Sequence, residues 1–314
     1  MNLDHWESYY RGGALVSCPT SAEPNYSAAV RAAWDRFFRQ LPDGSRILDI
    51  GCGNGPLALI AKETATELSR SFEIDAVDFA AIDPAANVPD GEKIFRGIRF
   101  HSRVNIEDLP FESSSFDAVC GQYIIEYTDS PVSLAEAARV LRPAGKCQLI
   151  VHHCDSIVVR NARESLQQAD LALHELQILR LFRRYCQMLE ESPRKAGAAE
   201  KAFFDAGARM GVAAGDSSNP LFLEFVINSV RSLLKHRSRL GRDALLEQTN
   251  RLERDLDNWV RRLHDLVSGA QSEDDMATMI SEAENRGFEA VELALQMQDA
   301  DTLVGWRLNM RRVA

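Results

Sequence analysis

The chain has no uninterrupted apolar run near the ~20 residues that cross a bilayer, which argues against a membrane-embedded role. Residues Met1 to Arg11 carry Asp4, Glu7 and Arg11 and no basic segment leading into an apolar stretch, so they do not read as a signal peptide. The six cysteines, at 18, 52, 120, 147, 154 and 186, form no CxxC pair and no metal-ligand spacing. No Asp/Asn/His cluster has magnesium or zinc spacing either, so a metal is not expected. Internal repeats and low-complexity tails are also missing. Cys52, Cys120 and Cys147 fall in or beside apolar strand patterns and read as small buried thiols. The expectation is a cytoplasmic globular protein, with no membrane partner.

Positive charge is scarce over most of the chain. The net charge is −10, yet residues 155–270 hold 18 Lys/Arg against 16 Asp/Glu, so the rest carries −12. An acidic surface does not track nucleic acid, which needs cationic neutralisation of phosphates. The cluster Arg231, Lys235, His236, Arg237, Arg239 and Arg242 is the exception. It reads first as a solvated helix face and second as a contact for an anionic substrate.

What is present is concentrated in Ile47-Leu48-Asp49-Ile50-Gly51-Cys52-Gly53-Asn54-Gly55. An apolar strand runs into glycines at every second position, and the amphipathic run Leu57-Ala58-Leu59-Ile60-Ala61 follows. Such a turn lets the backbone approach a ligand, with the N–H groups of a helix start behind it. The spacing is GxGxG, not the GxGxxG of dinucleotide folds.

Downstream segments then match a known order, and the chain resembles the class I S-adenosylmethionine-dependent methyltransferases over about residues 45–155, with a return at 273–314. The glycine segment resembles the first motif of that family, and Ala76-Val77-Asp78-Phe79 looks like its second strand. Asn105-Ile106-Glu107-Asp108-Leu109-Pro110-Phe111 resembles the third-strand motif. Ser115-Phe116-Asp117-Ala118-Val119 opens the fourth strand, and Ala138 to Gly145 precedes the fifth. The resemblance implies an α/β fold: a Rossmann-like, mostly parallel seven-stranded sheet with helices on both faces. It also implies S-adenosyl-L-methionine as cofactor and S-adenosyl-L-homocysteine as product. The same fold hosts aminopropyl transfer and inactive relatives.

Carried over residue by residue, the resemblance assigns Asp49, Gly51, Gly53, Asn54 and Gly55 to the methionine end of the cofactor. Asp78 is assigned to the ribose hydroxyls, with Phe79 beside the adenine and Asp83 as a rival acid. Asn105 and Ile106 are assigned to the adenine edge, although the family often has an acid where Asn105 stands. Gln122 is placed near the methionine moiety. The Asn/Asp-Pro-Pro-Tyr motif and the cytosine-C5 Pro-Cys pair are both missing, which argues against those amino- and base-methylating branches.

The substrate candidates are Tyr9, Tyr10, Tyr123 and Tyr127, with Trp6 and Glu126 nearby; local packing is the equal alternative for each. His152 and His153 close the fifth strand, so alternation turns one of them toward the pocket. An imidazole with an unperturbed pKa of ~6.5 can act as general base for a hydroxyl or carboxyl nucleophile. His101 reads as structural.

Residues 1–44 read as an N-terminal helical cap and 45–155 as the core. The span 156–272 reads as an all-helical insertion, with helices at 160–190, 197–212, 220–239 and 242–268. Residues 273–314 read as a closing helix and hairpin. The stripe Leu245, Leu252, Leu256, Trp259, Leu263 and Leu266 has core-type spacing. The insertion is either a lid over the acceptor or a partner module, and it is a candidate homodimer contact. The function expected is metal-independent O-methylation of a hydroxyl or carboxyl group on a small molecule. The alternatives are a protein or RNA methyltransferase that docks through the insertion, and a non-catalytic cofactor-binding scaffold.

Overall fold

Apolar residues at helical spacing build the first two elements, α1 (Asp4–Arg11) and α2 (Ala28–Arg39), in a computed structural model that describes residues 3–18 and 25–314. Along α2 the i, i+3, i+4 series Val30, Ala33, Trp34, Phe37 and Phe38 is buried. From Arg46 strands and helices alternate: β1 (Arg46–Ile50), α3 (Pro56–Glu67), β2 (Glu73–Asp78), α4 (Pro84–Asn87), α5 (Gly91–Ile94) and β3 (Ile98–Ser102). Then come β4 (Phe116–Gln122), α6 (Ser130–Val140) and β5 (Leu141–Val151). A helical series follows: α7 (Ile157–Ala169), α8 (Ile178–Glu191), α9 (Gly197–Asp216), α10 (Leu221–Leu240) and α11 (Arg242–Gly269). The chain closes with α12 (Glu273–Asn285), β6 (Phe288–Met297) and β7 (Leu303–Arg312).

The seven strands form one sheet in the order β3-β2-β1-β4-β5-β7-β6. β7 is antiparallel to both neighbours, because the β6–β7 hairpin inserts its second strand beside β5. The remaining pairs are parallel, which places the order reversal between β1 and β4. Open α/β sheets bind ligands beside such a switch, at the carboxyl ends of the strands. Leu48, Ile50, Val119, Leu149 and Val151 pack on one face with Leu134 and Ala137 of α6 and Met276 and Met279 of α12. Ile47, on the opposite face of β1, is buried as well. Burial on both faces explains why these strands read as continuous apolar runs. Ser272 caps α12 with a reciprocal capping box to Asp275.

Two details differ from the sequence expectation. The third strand ends at Ser102, so Asn105 and Ile106 lie in the turn beyond it. His101 sits inside that strand, with Nε2 2.9 Å from Asp75 Oδ1. Burial works to raise the Asp75 carboxyl, but bonds from Arg99, His101 and Arg46 hold it down at about 2. This is a structural charge cluster.

The chain divides into two compact units, one running to Val159 and resuming at Ser268–Ala314, the other Arg160–Val267. The second has its own core, with Phe182, Phe203, Phe222, Val226, Leu252 and Leu256 among its buried residues. Gln168 there donates to Ser217 Oγ and to the carbonyl of Asn219. Among the described residues, Arg231, His236 and Arg237, from the basic cluster, bond only along their own helix. Among the described residues no helix is long and apolar enough to cross a membrane.

Candidate functional site

β1 delivers its chain to the loop Gly51–Gly55 at the switch of strand order. Gly51 has φ +64°, and a Cβ there would stand 2.2 Å from Ile124 Cγ1. Gly53 has φ +51°, and a Cβ there would meet Tyr10 Cε1 at 2.7 Å. Glycine is required at both places by conformation and by space. Gly55 precedes the first turn of α3, where Pro56 fits because its missing N–H would be unbonded anyway.

Two acids hold this loop. Asp49 Oδ2 accepts from Ala58 N–H in the first turn of α3 at 3.2 Å, while buried Oδ1 has no partner among the described residues. Burial pushes the Asp49 carboxyl well up, the Ala58 bond opposes this, and the charge of Asp78 adds to it. Asp78, at the end of β2, accepts from Gly53 N–H at 2.7 Å and from Ala80 N–H at 2.8 Å. Burial nevertheless raises it to about 6. Two buried acids beside a helix N-terminus suit a ligand that brings an ammonium and a vicinal diol. Asp83 is exposed and accepts from Ala86 N–H as the cap of α4.

The N-terminal helix is tied directly to this loop. Asn54 Nδ2 donates to the carbonyls of Tyr10 at 2.9 Å and Ala14 at 2.7 Å, and its buried Oδ1 has no partner. Tyr10 stacks on Trp6, and burial with the nearby Asp78 charge pushes its phenol well up. Tyr10 is thus placed at the glycine loop, whereas the sequence suggested an acceptor contact. Tyr9 donates to the carbonyl of Val16. Glu7 of α1 pairs with Arg103 at 2.7 Å. That pair carried no sequence signal, because the two residues are far apart in the chain.

The remaining cofactor candidates are spread around the carboxyl edge. Phe79 follows Asp78 and is 43% exposed. Asn105 Oδ1 accepts from Glu107 N–H, and Ile106 is buried. Gln122, at the end of β4, accepts from Trp34 Nε1 at 2.6 Å, a partner the sequence did not announce.

Beyond β4 the chain turns through a short 3-10 segment, Ile125–Tyr127, to the end of β5. Tyr123 has φ +58° and donates to the carbonyl of Val304. Its ring lies parallel to His152 at 3.8 Å. His152 is fully buried, its Nδ1 has no partner among the described residues, and burial lowers its imidazole to about 3. His153 stacks on Trp306, and its Nδ1 accepts from Asp155 N–H. Tyr127 meets His152 and Trp6 edge-on.

Glu126 lies between these groups. Its Oε1 accepts from His152 N–H at 2.8 Å, and its buried Oε2 has no partner among the described residues. Burial raises this carboxyl to about 8, although backbone N–H groups of His152, Glu126 and Ile124 work to lower it. Among the described residues one trio, His153, Cys154 and Asp155, brings possible metal-ligand atoms within 4.8 Å of one another.

Residues 48–149 match the family described as methyltransferase domain. The chain is 34% identical over 113 residues to the 2-phytyl-1,4-naphtoquinone methyltransferase of Trichormus variabilis, covering 35% of this chain and 48% of that protein. It is 28% identical over 131 residues to the ubiquinone/menaquinone biosynthesis C-methyltransferase of Xylella fastidiosa, covering 40% and 50%. It is 33% identical over 108 residues to the ubiquinone biosynthesis O-methyltransferase of Xanthomonas axonopodis pv. citri, covering 33% and 42%. The chain thus spans about half the length of the curated relatives it matches.

Proposed function

The chain belongs to the class I S-adenosylmethionine-dependent methyltransferases, and on that premise we propose that it methylates a small molecule carrying an ionisable hydroxyl or carboxyl group. The observation that carries this reading is the glycine loop flanked by two buried acids, one with an oxygen that lacks a partner. Asp49 Oδ1 suits the cofactor's ammonium, and Asp78 its ribose hydroxyls. Gly51 and Gly53 let Ile124 and Tyr10 pack directly on the loop, since a Cβ at either position would clash with them. The sulfonium supplies an already activated methyl group. The protein's work is therefore to position the acceptor, exclude water and take up a proton.

Glu126 is the residue we assign to the proton. Its free oxygen lies at the carboxyl ends of β4 and β5, and its raised carboxyl is matched to a phenol-like acceptor. His152, neutral and stacked under Tyr123, serves as a wall of the site; His153 is the second choice for the base. O-methylation is the first reading. Methylation at carbon is the second, and the relatives named for C-methylation favour it. Removing a hydroxyl proton serves both, because a phenolate or enolate is nucleophilic at oxygen and at the adjacent carbon.

Calorimetric titration with S-adenosylmethionine and S-adenosylhomocysteine tests the cofactor half, and a screen of phenolic, enolic and carboxylic acceptors tests the rest. The expected result is micromolar binding of both ligands and transfer to at least one ring hydroxyl or its adjacent carbon. Lack of binding to either ligand removes the proposal.

A further inference from the structure

A second polar site lies on the opposite part of the sheet. The end of α2 and strands β5, β6 and β7 enclose a cleft of about 270 Å³. Its floor is set by register: Lys146 faces Arg311 and Gln148 faces Asn309 across the β5–β7 pair. Lys146 also pairs with Ala118, near the start of β4, so the cleft lies toward the amino ends of the parallel strands. The glycine loop is at their carboxyl ends.

Charge in the cleft is lopsided. Arg36, Lys146, Arg307 and Arg311 line it, against the single acid Glu292. Arg311 is paired with Glu289 at 2.6 Å, and Lys146 donates to Gln40. Among the described residues the one side-chain hydrogen bond of Arg307 goes to the neutral oxygen of Gln296, at 3.2 Å. Among the described residues the Arg36 guanidinium has no hydrogen bond or ion pair. Burial together with Arg36 lowers the Arg307 guanidinium, and the charge of Glu292 offsets part of this. Like charges held near each other with a single acid to share are costly.

A buried donor points to what is missing. Gln148 is 4% exposed, and among the described residues its Nε2 has no hydrogen-bond partner. Leaving such a group unpaired costs stability unless something meets it. Asn309 beside it also makes no side-chain bond among the described residues. A middle-of-strand position with a helix packed above it normally holds an apolar residue. Here the cleft faces of β5 and β7 carry donors instead.

We propose that this cleft binds the oxyanion group of a small molecule, a phosphoryl or carboxylate, between the guanidinium groups of Arg36 and Arg307 with Gln148 Nε2 beneath it. Two guanidinium forks and an amide donor suit an anion with several acceptor oxygens. The site is independent of the methyl-transfer reading and shares no residue with it.

The test is calorimetric titration of the full chain with inorganic phosphate and with succinate, at constant ionic strength set by chloride. One-site saturable binding of at least one anion is expected, and which one binds separates phosphoryl from carboxylate recognition. Arg36→Gln and Arg307→Gln should each weaken it about tenfold, and Gln148→Met should weaken it while Arg36→Lys restores part of the loss. Arg36 is exposed, so its variants are expected to fold, with an unchanged thermal transition and unchanged S-adenosylhomocysteine affinity. Absence of saturable binding, or binding retained in both arginine variants, overturns the proposal. Binding of a polyglutamate peptide without either small anion also overturns it, in favour of a protein-docking surface.

Discussion

The side chain of Glu126 accepts a hydrogen bond from the backbone N–H of His152 at 2.8 Å, which joins the turn after β4 to the end of β5. Through that bond one carboxylate oxygen is fixed and the other is left buried and unbonded. Glu126→Gln preserves an acceptor for His152 and removes the ionisable group. Turnover should fall about a hundredfold with cofactor affinity unchanged, as calorimetry and initial rates will read. In the parent, activity should rise with pH through about 8 as the carboxyl ionises, and the variant should lose that limb.

The same residue makes a stability prediction of definite sign. Its folded carboxyl is raised from the ordinary 4.5 to about 8, so the folded state keeps a proton that the unfolded chain releases. The corresponding stability is complete below pH 4.5 and is lost as pH rises to about 8. Denaturant midpoints of Glu126→Gln should therefore fall less than those of the parent across this window. Parallel curves would place the proton elsewhere.

Asp78 holds Gly53 N–H and Ala80 N–H together. Asp78→Ala removes both acceptors and should abolish measurable S-adenosylhomocysteine binding, while Asp78→Asn keeps part of the loop geometry and should bind more weakly than the parent. Because this carboxyl is raised to about 6, parent affinity should decline as pH falls below that value. Titrations at several pH values check it.

Gly51→Ala asks a Cβ to stand 2.2 Å from Ile124 at a positive φ. We expect a loss of roughly 1–3 kcal/mol, seen as a lower thermal midpoint, together with loss of cofactor binding. Gly53→Ala meets the movable ring of Tyr10 instead. The double variant Gly53→Ala, Tyr10→Ala should recover part of the thermal midpoint lost by Gly53→Ala alone.

His152→Ala removes a fully buried ring stacked on Tyr123 and should cost about 2–4 kcal/mol of stability. His153→Ala should leave stability nearly unchanged, since that ring is only partly buried. If His153→Ala, rather than Glu126→Gln, removes the pH dependence of turnover, the proton passes to His153.

Much of the sheet was legible because its cause is local. An apolar strand, a glycine turn and a helix start occupy adjacent residues, and the successive βα units inherit a parallel order from the handedness of their crossovers. The closing hairpin was legible for the same reason, its two strands being neighbours in sequence. The expected insertion, 156–272, is a few residues longer at each end than the observed second unit, Arg160–Val267. The third strand was misplaced because Ile98–Ser102 is only partly buried and lacks an apolar run, while the conspicuous motif at Asn105 follows it.

The fold class, the glycine loop and the acid that ends β2 could be read directly, since each depends on residue type at short spacing. Which polar groups lose their water depends instead on long-range packing. His152 and His153 are adjacent in the chain, yet one is sealed under Tyr123 and the other lies partly open against Trp306. Arg36 and Arg307 are 271 positions apart by their numbers, and only the packing of α2 against β6, beside β7, brings their charges to one cleft. Burial and long-range charge are properties of the assembled chain, and they set the chemistry of Glu126, Asp78 and that cleft.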